Sequence, residues 1–243
     1  MKIEVFDDQK ILHRRAALVI AAELTTKSAP VLGLATGGTP VATYQELIRL
    51  HREEGLSFAH VRSFNLDEYV GISYEHPESY HAFMKRQLFD SVDIPDDAWQ
   101  VPDPNNSEML ARPSLYDELI EAAGGIDLQL LGLGNNGHVA FNEPADSFSE
   151  WTTRVALTES TILANSRFFD SPDEVPREAL SMGIASIMRA RKILLLACGE
   201  SKAKAVKAMV QGEISAQCPA SVLRLHRDVT ILLDRDAAML LEA

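Results

Sequence analysis

Five short apolar runs, at 31–35, 61–66, 126–133, 192–198 and 229–233, constrain the fold of this chain more than any other feature. Each has the length of a strand. In all but 61–66, V-R-S-F-N-L, apolar residues and glycine predominate, the pattern of a strand covered on both faces. Helix-length segments separate them, at 40–54, 79–89, 107–123, 174–189 and 201–210. Strands alternating with helices imply right-handed βαβ units. The expected fold class is therefore α/β, an open, mainly parallel sheet with helices on both faces. A polar connection rich in Pro and Asn spans 93–106, and no repeat, low-complexity tract or linker divides the 243 residues. The simplest organisation is one domain over 1–243. Within it the long segment 145–189, helical in its later part, is a candidate lid.

The run 126–133 leads into G-L-G-N-N-G-H-V-A-F-N-E-P, residues 132–144. Glycines allow a sharp turn and close approach to a ligand. His138 can both give and take a proton near neutrality, and Glu143 is near enough in sequence to orient or polarise it. Gly132, Gly134 and Gly137 also satisfy G-x-G-x-x-G, with Glu159 at about the right distance for a dinucleotide site. That fingerprint needs a helix opening at its third glycine. Pro144 interrupts any such helix, and 145–150 has no apolar stripe, so a dinucleotide site is not expected.

Three further stretches carry candidate chemistry. In L-G-L-A-T-G-G-T-P, residues 32–40, a strand ends in a turn of Thr36, Gly37, Gly38 and Thr39. Pro40 suits the first helical position and Thr39 the N-cap. Backbone N–H groups and hydroxyls at a helix N-terminus make either an anion site or an ordinary capped turn. The Gly-Lys-Ser/Thr ending of a Walker loop is absent. In F-N-L-D-E-Y, Asp67 and Glu68 follow a buried strand; one carboxylate entering the crevice would be a general base, while the other braces or assists. Arg167, beside Phe168 and Phe169, and Lys202, in the first turn of a helix where the dipole disfavours a cation, are candidate phosphate partners or simply solvated side chains. Together these suit proton transfer on a small phosphorylated molecule such as a sugar phosphate.

Composition narrows the partners. The net charge is −12 with no basic stripe, so no nucleic acid is expected. No apolar run approaches the ~18 residues of a membrane span, and M-K-I-E-V-F-D-D has no leader character, so no membrane partner and a cytoplasmic location are expected. Cys198 and Cys218 form no C-x-x-C pair, which fits a reducing compartment. The seven histidines lack ligand spacing, so no metal is expected.

L-G-L-A-T-G-G-T-P, F-N-L-D-E-Y-V-G, H-P-E-S-Y, G-N-N-G-H-V-A-F-N-E-P-A and A-N-S-R-F-F closely resemble the glucosamine-6-phosphate deaminase family, in its order and across almost the whole chain. The resemblance implies a Rossmann-like fold shared with 6-phosphogluconolactonase. It also implies a cofactor-free isomerisation and deamination of glucosamine 6-phosphate to fructose 6-phosphate and ammonia, in amino-sugar catabolism. By resemblance His138 opens the sugar ring, Glu143 and Asn136 orient it, and Asp67 moves a proton between C2 and C1. Thr36, Gly37, Gly38, Thr39, Arg167 and Lys202 hold the phosphate. The Ala140–Pro144 ending departs from the lactonase Ser-Leu-Phe-Pro type. A lactonase and a sugar-phosphate-binding regulator without catalysis are the alternatives, the latter at odds with an intact acid/base set. Asn136 stands where some members have an aspartate, so it can orient only by hydrogen bonding. Allosteric members bind an effector phosphate through a serine, an arginine and a lysine whose positions here are Asp146, Thr153 and Val155. With the shorter C-terminus, this implies a non-allosteric protein, a monomer or small homo-oligomer.

Overall fold

A computed structural model describes residues 1–166, 169 and 171–242. Its frame is a seven-stranded sheet built from β1 (Lys2–Phe6), β2 (Val31–Leu34), β3 (Arg62–Asn65), β5 (Trp99–Gln100), β6 (Leu128–Gly132), β9 (Lys192–Ala197) and β10 (Val229–Asp234). The order is β1-β10-β9-β6-β2-β3-β5, with neighbours parallel throughout. Parallel neighbours need crossovers. These include α1 (Gln9–Thr26), α2 (Gly38–Glu54), α3 (Tyr80–Gln87), α5 (Leu115–Ala122) and α8 (Ala203–Gln211). The expected strands in the middle of the sheet are buried almost end to end, which only a sheet covered on both faces permits.

From β2 the chain moves outward through β3 to β5. It then returns to the other side of β2 as β6, with Leu32 opposite Leu128, and continues through β9 to β10. The connections after β2 and β6 therefore diverge, and a crevice opens at their C-terminal ends. Tyr44, fully buried on α2, fixes one wall. Its hydroxyl donates to the Ala35 carbonyl at 2.5 Å and accepts from the Ala35 N–H at 3.2 Å. Those backbone groups lie just past the last β2 ladder residue and would otherwise be buried without partners.

A second, antiparallel sheet of β4 (Asp67–Val70), β8 (Glu178–Ser181) and β7 (Thr153–Ala156) lies beside the crevice. Asp67 pairs with Ser181, and Met182 N–H donates to Leu66 O at 2.8 Å, so β4 starts where the chain has just left β3. A small separate core of Tyr69, Phe141, Leu157, Ile162, Val175 and Ala179 supports this sheet.

The sequence expectation of a helix over 174–189 is corrected here. That stretch holds β8 and then only the short α7 (Ile184–Met188), because its backbone pairs with β4 and β7 instead of with itself. The helix expected over 107–123 is two, α4 (Ser107–Ala111) and α5, parted by Pro113, which cannot continue a helix. The polar connection 93–106 contains β5. Strands β1, β4, β5, β7 and β8 and helix α1 were not anticipated from the sequence.

Replacing Tyr44 by Phe should cost about 1–3 kcal/mol, since two buried backbone groups lose their partner. Urea unfolding of the two proteins checks this.

Candidate active site

The crevice is a cavity of about 700 Å³ to which several βα connections contribute. The turn after β2 supplies Thr36, Gly37, Gly38 and Thr39, the end of β3 leads to Asp67, the turn after β6 supplies Asn136 and His138, and the turn after β9 supplies Lys202. These expected site residues come from distant parts of the chain and meet in one place. Arg167 lies outside the described residues.

Helix α2 starts two residues earlier than expected. Its N-cap is Gly37, at φ 97°, and among the described residues no side chain caps its first N–H groups. Thr39 is therefore not the cap, and Pro40 is the third helical residue. A left-handed φ of this kind favours glycine. The uncapped start of a 17-residue helix opens on the cavity, which is the geometry that binds an anion. Lys202 stands at the end of a short 3-10 turn (Glu200–Lys202) and N-caps α8, instead of lying within its first turn. The turn is tied down by Asp234, whose carboxylate accepts the Gly199 N–H at 2.9–3.0 Å and the Ala237 N–H at 2.8 Å.

On the opposite wall, Asn136 links His138 to Glu143. Its Oδ1 lies 2.8 Å from His138 Nδ1, and its Nδ2 donates to Glu143 Oε2 at 2.6 Å. Glu143 Oε1 is 3.4 Å from the same Nδ1. Both neighbours of Nδ1 are acceptors, so Nδ1 carries the proton and Nε2 is left as the basic nitrogen. The ring lies against the backbone of Gly134, where a Cβ would overlap the imidazole. Burial pushes the Glu143 pKa up, but hydrogen bonds from His138, Thr161 and Asn136 outweigh it and hold the carboxyl at about 2. Glu143 is therefore a permanent anion behind the imidazole. Ala140, between them on the loop, has φ 51°, a strained conformation for a residue with a Cβ. No helix opens at Gly137; the chain from there to Pro144 is bend, turn and isolated bridge.

Asp67 and Glu68 face apart, as neighbours on a strand do. Asp67 lines the cavity. Burial, and behind it the charge of Glu68, push its pKa up to about 8. Both of its protonation states are then accessible near neutrality, as a group that takes and returns a proton requires. Glu68, 1 % exposed, turns instead to the start of α3 and accepts N–H bonds from Tyr69, Tyr80 and His81 at 2.8–2.9 Å. Burial raises its pKa to about 7 against the pull of those three bonds. Its carboxylate anchors the start of α3 and its charge adds to the effect of burial at Asp67; it does not line the cavity.

The sequence reading overlooked Thr161, Asn165, Tyr80 and Ser201, which also line the cavity. Thr161 and Asn165 belong to α6 (Glu159–Asn165), whose N-cap is Thr158. The Thr158-x-x-Thr161 spacing was the available sign of a capped helix start, but nothing in it points to Glu143.

The family model described as glucosamine-6-phosphate isomerases/6-phosphogluconolactonase matches residues 8–232. The chain is similar to the glucosamine-6-phosphate deaminase of Bacillus pumilus, 50% identical over 99% of this chain and 100% of that one. It is 49% identical to that of Clostridium acetobutylicum, with the same coverage. Among solved structures it is similar to a monomeric glucosamine-6-phosphate deaminase, at TM-score 0.96 and 46% identity, over 99% of this chain and 100% of that one. The 6-phosphogluconolactonase of Trypanosoma brucei matches at TM-score 0.77 and 22% identity, over 99% of this chain and 98% of that one, a likeness of fold alone.

Two outcomes are expected. Gly134→Ala should leave the fold intact and displace His138, read as a shift of its imidazole nitrogen resonances by NMR. Asp67→Asn should raise stability at neutral and alkaline pH. The unfolded aspartate ionises near 3.8 and the folded one near 8. Ionisation therefore penalises the fold progressively as pH rises through that window, and not at all below it. At about 1.4 kcal/mol per pKa unit, the advantage of Asn should be on the order of a few kcal/mol at pH 8 and fade by pH 4. Urea unfolding midpoints across that range check it.

Proposed function

Because the chain belongs to the glucosamine-6-phosphate isomerase/6-phosphogluconolactonase family, we infer that it converts glucosamine 6-phosphate and water to fructose 6-phosphate and ammonia. The observation that supports this best is one cavity holding an uncapped helix start, a buried carboxyl with pKa about 8, and a histidine backed by an ionised glutamate. The first suits a phosphate, the second a proton moved between adjacent carbons, and the third a proton moved between oxygens.

Each group then has a task. The Thr36–Thr39 turn and Lys202, with Arg167 by resemblance, anchor the phosphate, so binding far from the reacting carbons positions them. His138 Nε2 takes the anomeric proton and returns it to the ring oxygen, opening the pyranose. Glu143 stabilises the imidazolium formed on the way, and Asn136 holds the ring in the required tautomer. Asp67 takes the C2 proton and delivers one to C1. The C2–N bond becomes an imine, which water hydrolyses to the ketone with loss of ammonia. The net change is an isomerisation followed by a hydrolysis, and its steps are proton transfers and water addition that call for no cofactor. A substrate of this kind fits a cytoplasmic enzyme of amino-sugar catabolism, working as a monomer or small oligomer.

Allosteric activation is not part of this reading. Asp146 is exposed and acidic, Thr153 and Val155 bring no charge, and Arg154 between them is paired with Glu178 across β7 and β8. A phosphate effector would meet an added acid and an arginine already engaged. The segment 145–189 remains the proposed lid, since Thr161 and Asn165 face the cavity from it.

The test is release of ammonia and fructose 6-phosphate from glucosamine 6-phosphate in chelator-treated buffer, with and without N-acetylglucosamine 6-phosphate. Stoichiometric release, hyperbolic in substrate and unchanged by the effector, is expected. Asp67→Asn should lower turnover by more than ~10². Absence of ammonia with hydrolysis of 6-phosphogluconolactone would assign the lactonase reaction, and sigmoidal kinetics relieved by the effector would refute the non-allosteric reading.

A further inference from the structure

We propose that Thr161 is a positioning residue for this reaction: its hydroxyl fixes the orientation of Glu143 and, through Glu143, of His138. The inference rests on the deaminase reading above and adds a residue to it.

A carboxylate can only accept hydrogen bonds, so its orientation is set by its donors. Glu143 Oε2 takes one from Asn136, and Oε1 takes one from Thr161 Oγ1 at 2.6 Å. Asn136 sits two residues from His138 on the same glycine-rich turn, and would move with it. Thr161 is on α6, 18 residues beyond Glu143 in the chain. It therefore supplies the reference point that the turn cannot give itself. It acts on the oxygen that matters, because Oε1 is the one 3.4 Å from His138 Nδ1.

The donor is itself held. Thr161 is 8% exposed, its N–H donates to Thr158 Oγ1 at 3.3 Å, and the Thr158 hydroxyl lies 3.1 Å from Thr161 Oγ1. With Thr158 donating to it, the Thr161 hydroxyl directs its own proton to Glu143. Thr158 Oγ1 is also 3.4 Å from Oε1, a longer contact that leaves Thr161 as the principal hydroxyl donor to that oxygen. Successive hydroxyls that polarise one another strengthen the final bond to the anion. The phosphate turn and Lys202 are on other connections, so the effect should fall on the chemical step and spare substrate anchoring.

The experiment is a double-mutant cycle on ammonia release, with wild-type activity established first. Thr161→Val, which keeps the volume and removes the hydroxyl, should lower kcat on the order of tenfold with KM within about twofold. Thr161→Ser should recover most of the loss. In a Glu143→Gln background, Thr161→Val should cost nothing further, since the two residues act through one bond. An unchanged kcat, or the same fold-loss in both backgrounds, would overturn the proposal and leave Thr161 a helix-start residue. Should Thr161→Val lose its cooperative thermal transition, Thr161→Ala and Thr161→Ser on the same two backgrounds give the same comparison. An inactive wild type would refute the deaminase reading itself, a result distinct from either.

Discussion

The pairing of β2 with β6 governs the rest of the molecule. It joins two strands whose onward connections run to opposite sides of the sheet. Backbone hydrogen bonding thus builds a crevice that no packing of side chains has to hollow out. The glycine turns after β2 and β6 line that crevice, and the connections after β3 and β9 reach it from either side. The second sheet takes the chain over as it leaves β3, so Asp67 is buried at the rim with its neighbour turned away.

The electrostatics of the cavity contradict the average of the chain. A protein of net charge −12 would repel a phosphorylated sugar if its charge were evenly spread. The proposed phosphate site is instead a helix start with oriented backbone N–H groups, with Lys202 on the same cavity, while the nearby acid, Asp67, has its pKa pushed up to about 8 by burial and by the charge of Glu68. Glu143, the ionised acid, is set behind His138 and stabilised as an anion by its donors. The placement of two carboxylates in two environments separates their pKa values by several units and so assigns them different work.

Much of this was legible in the sequence, for physical reasons that differ from element to element. The strands β2, β6, β9 and β10 announce themselves because burial on both faces demands mainly apolar runs. The antiparallel strands do not: β7 is mostly exposed, and β4 carries two acids. Their identity as strands comes from partners more than a hundred residues apart in the case of β4 and β8. The same limit hid the task of Glu68, whose acceptor role depends on where α3 begins, and of Thr161, which meets Glu143 only after α6 is docked. The turn after β2 is legible from its glycines, yet the expected Thr39 cap is misplaced, because Gly37 takes a left-handed φ that brings the helix start forward to Gly38. His138, Asn136 and Glu143 were readable since they lie within one turn, where sequence distance and spatial distance agree.

Among the described residues the edge strand β1 has its one sheet partner in β10, more than two hundred residues further along the sequence. During synthesis it leaves the ribosome before the other strands of the sheet and must wait for β10 before its backbone N–H and C=O groups are paired. Pairings of such long range are slow to form, and an unpaired strand is a template for another chain. Asp234, which ends β10, also anchors the Gly199 turn that carries Lys202. A nascent chain would therefore hold His138, Asn136 and Asp67 well before it could secure Lys202, the proposed phosphate cation. Completion of the sheet and competence of the site become a single late event, and chaperone demand should fall on the interval before it.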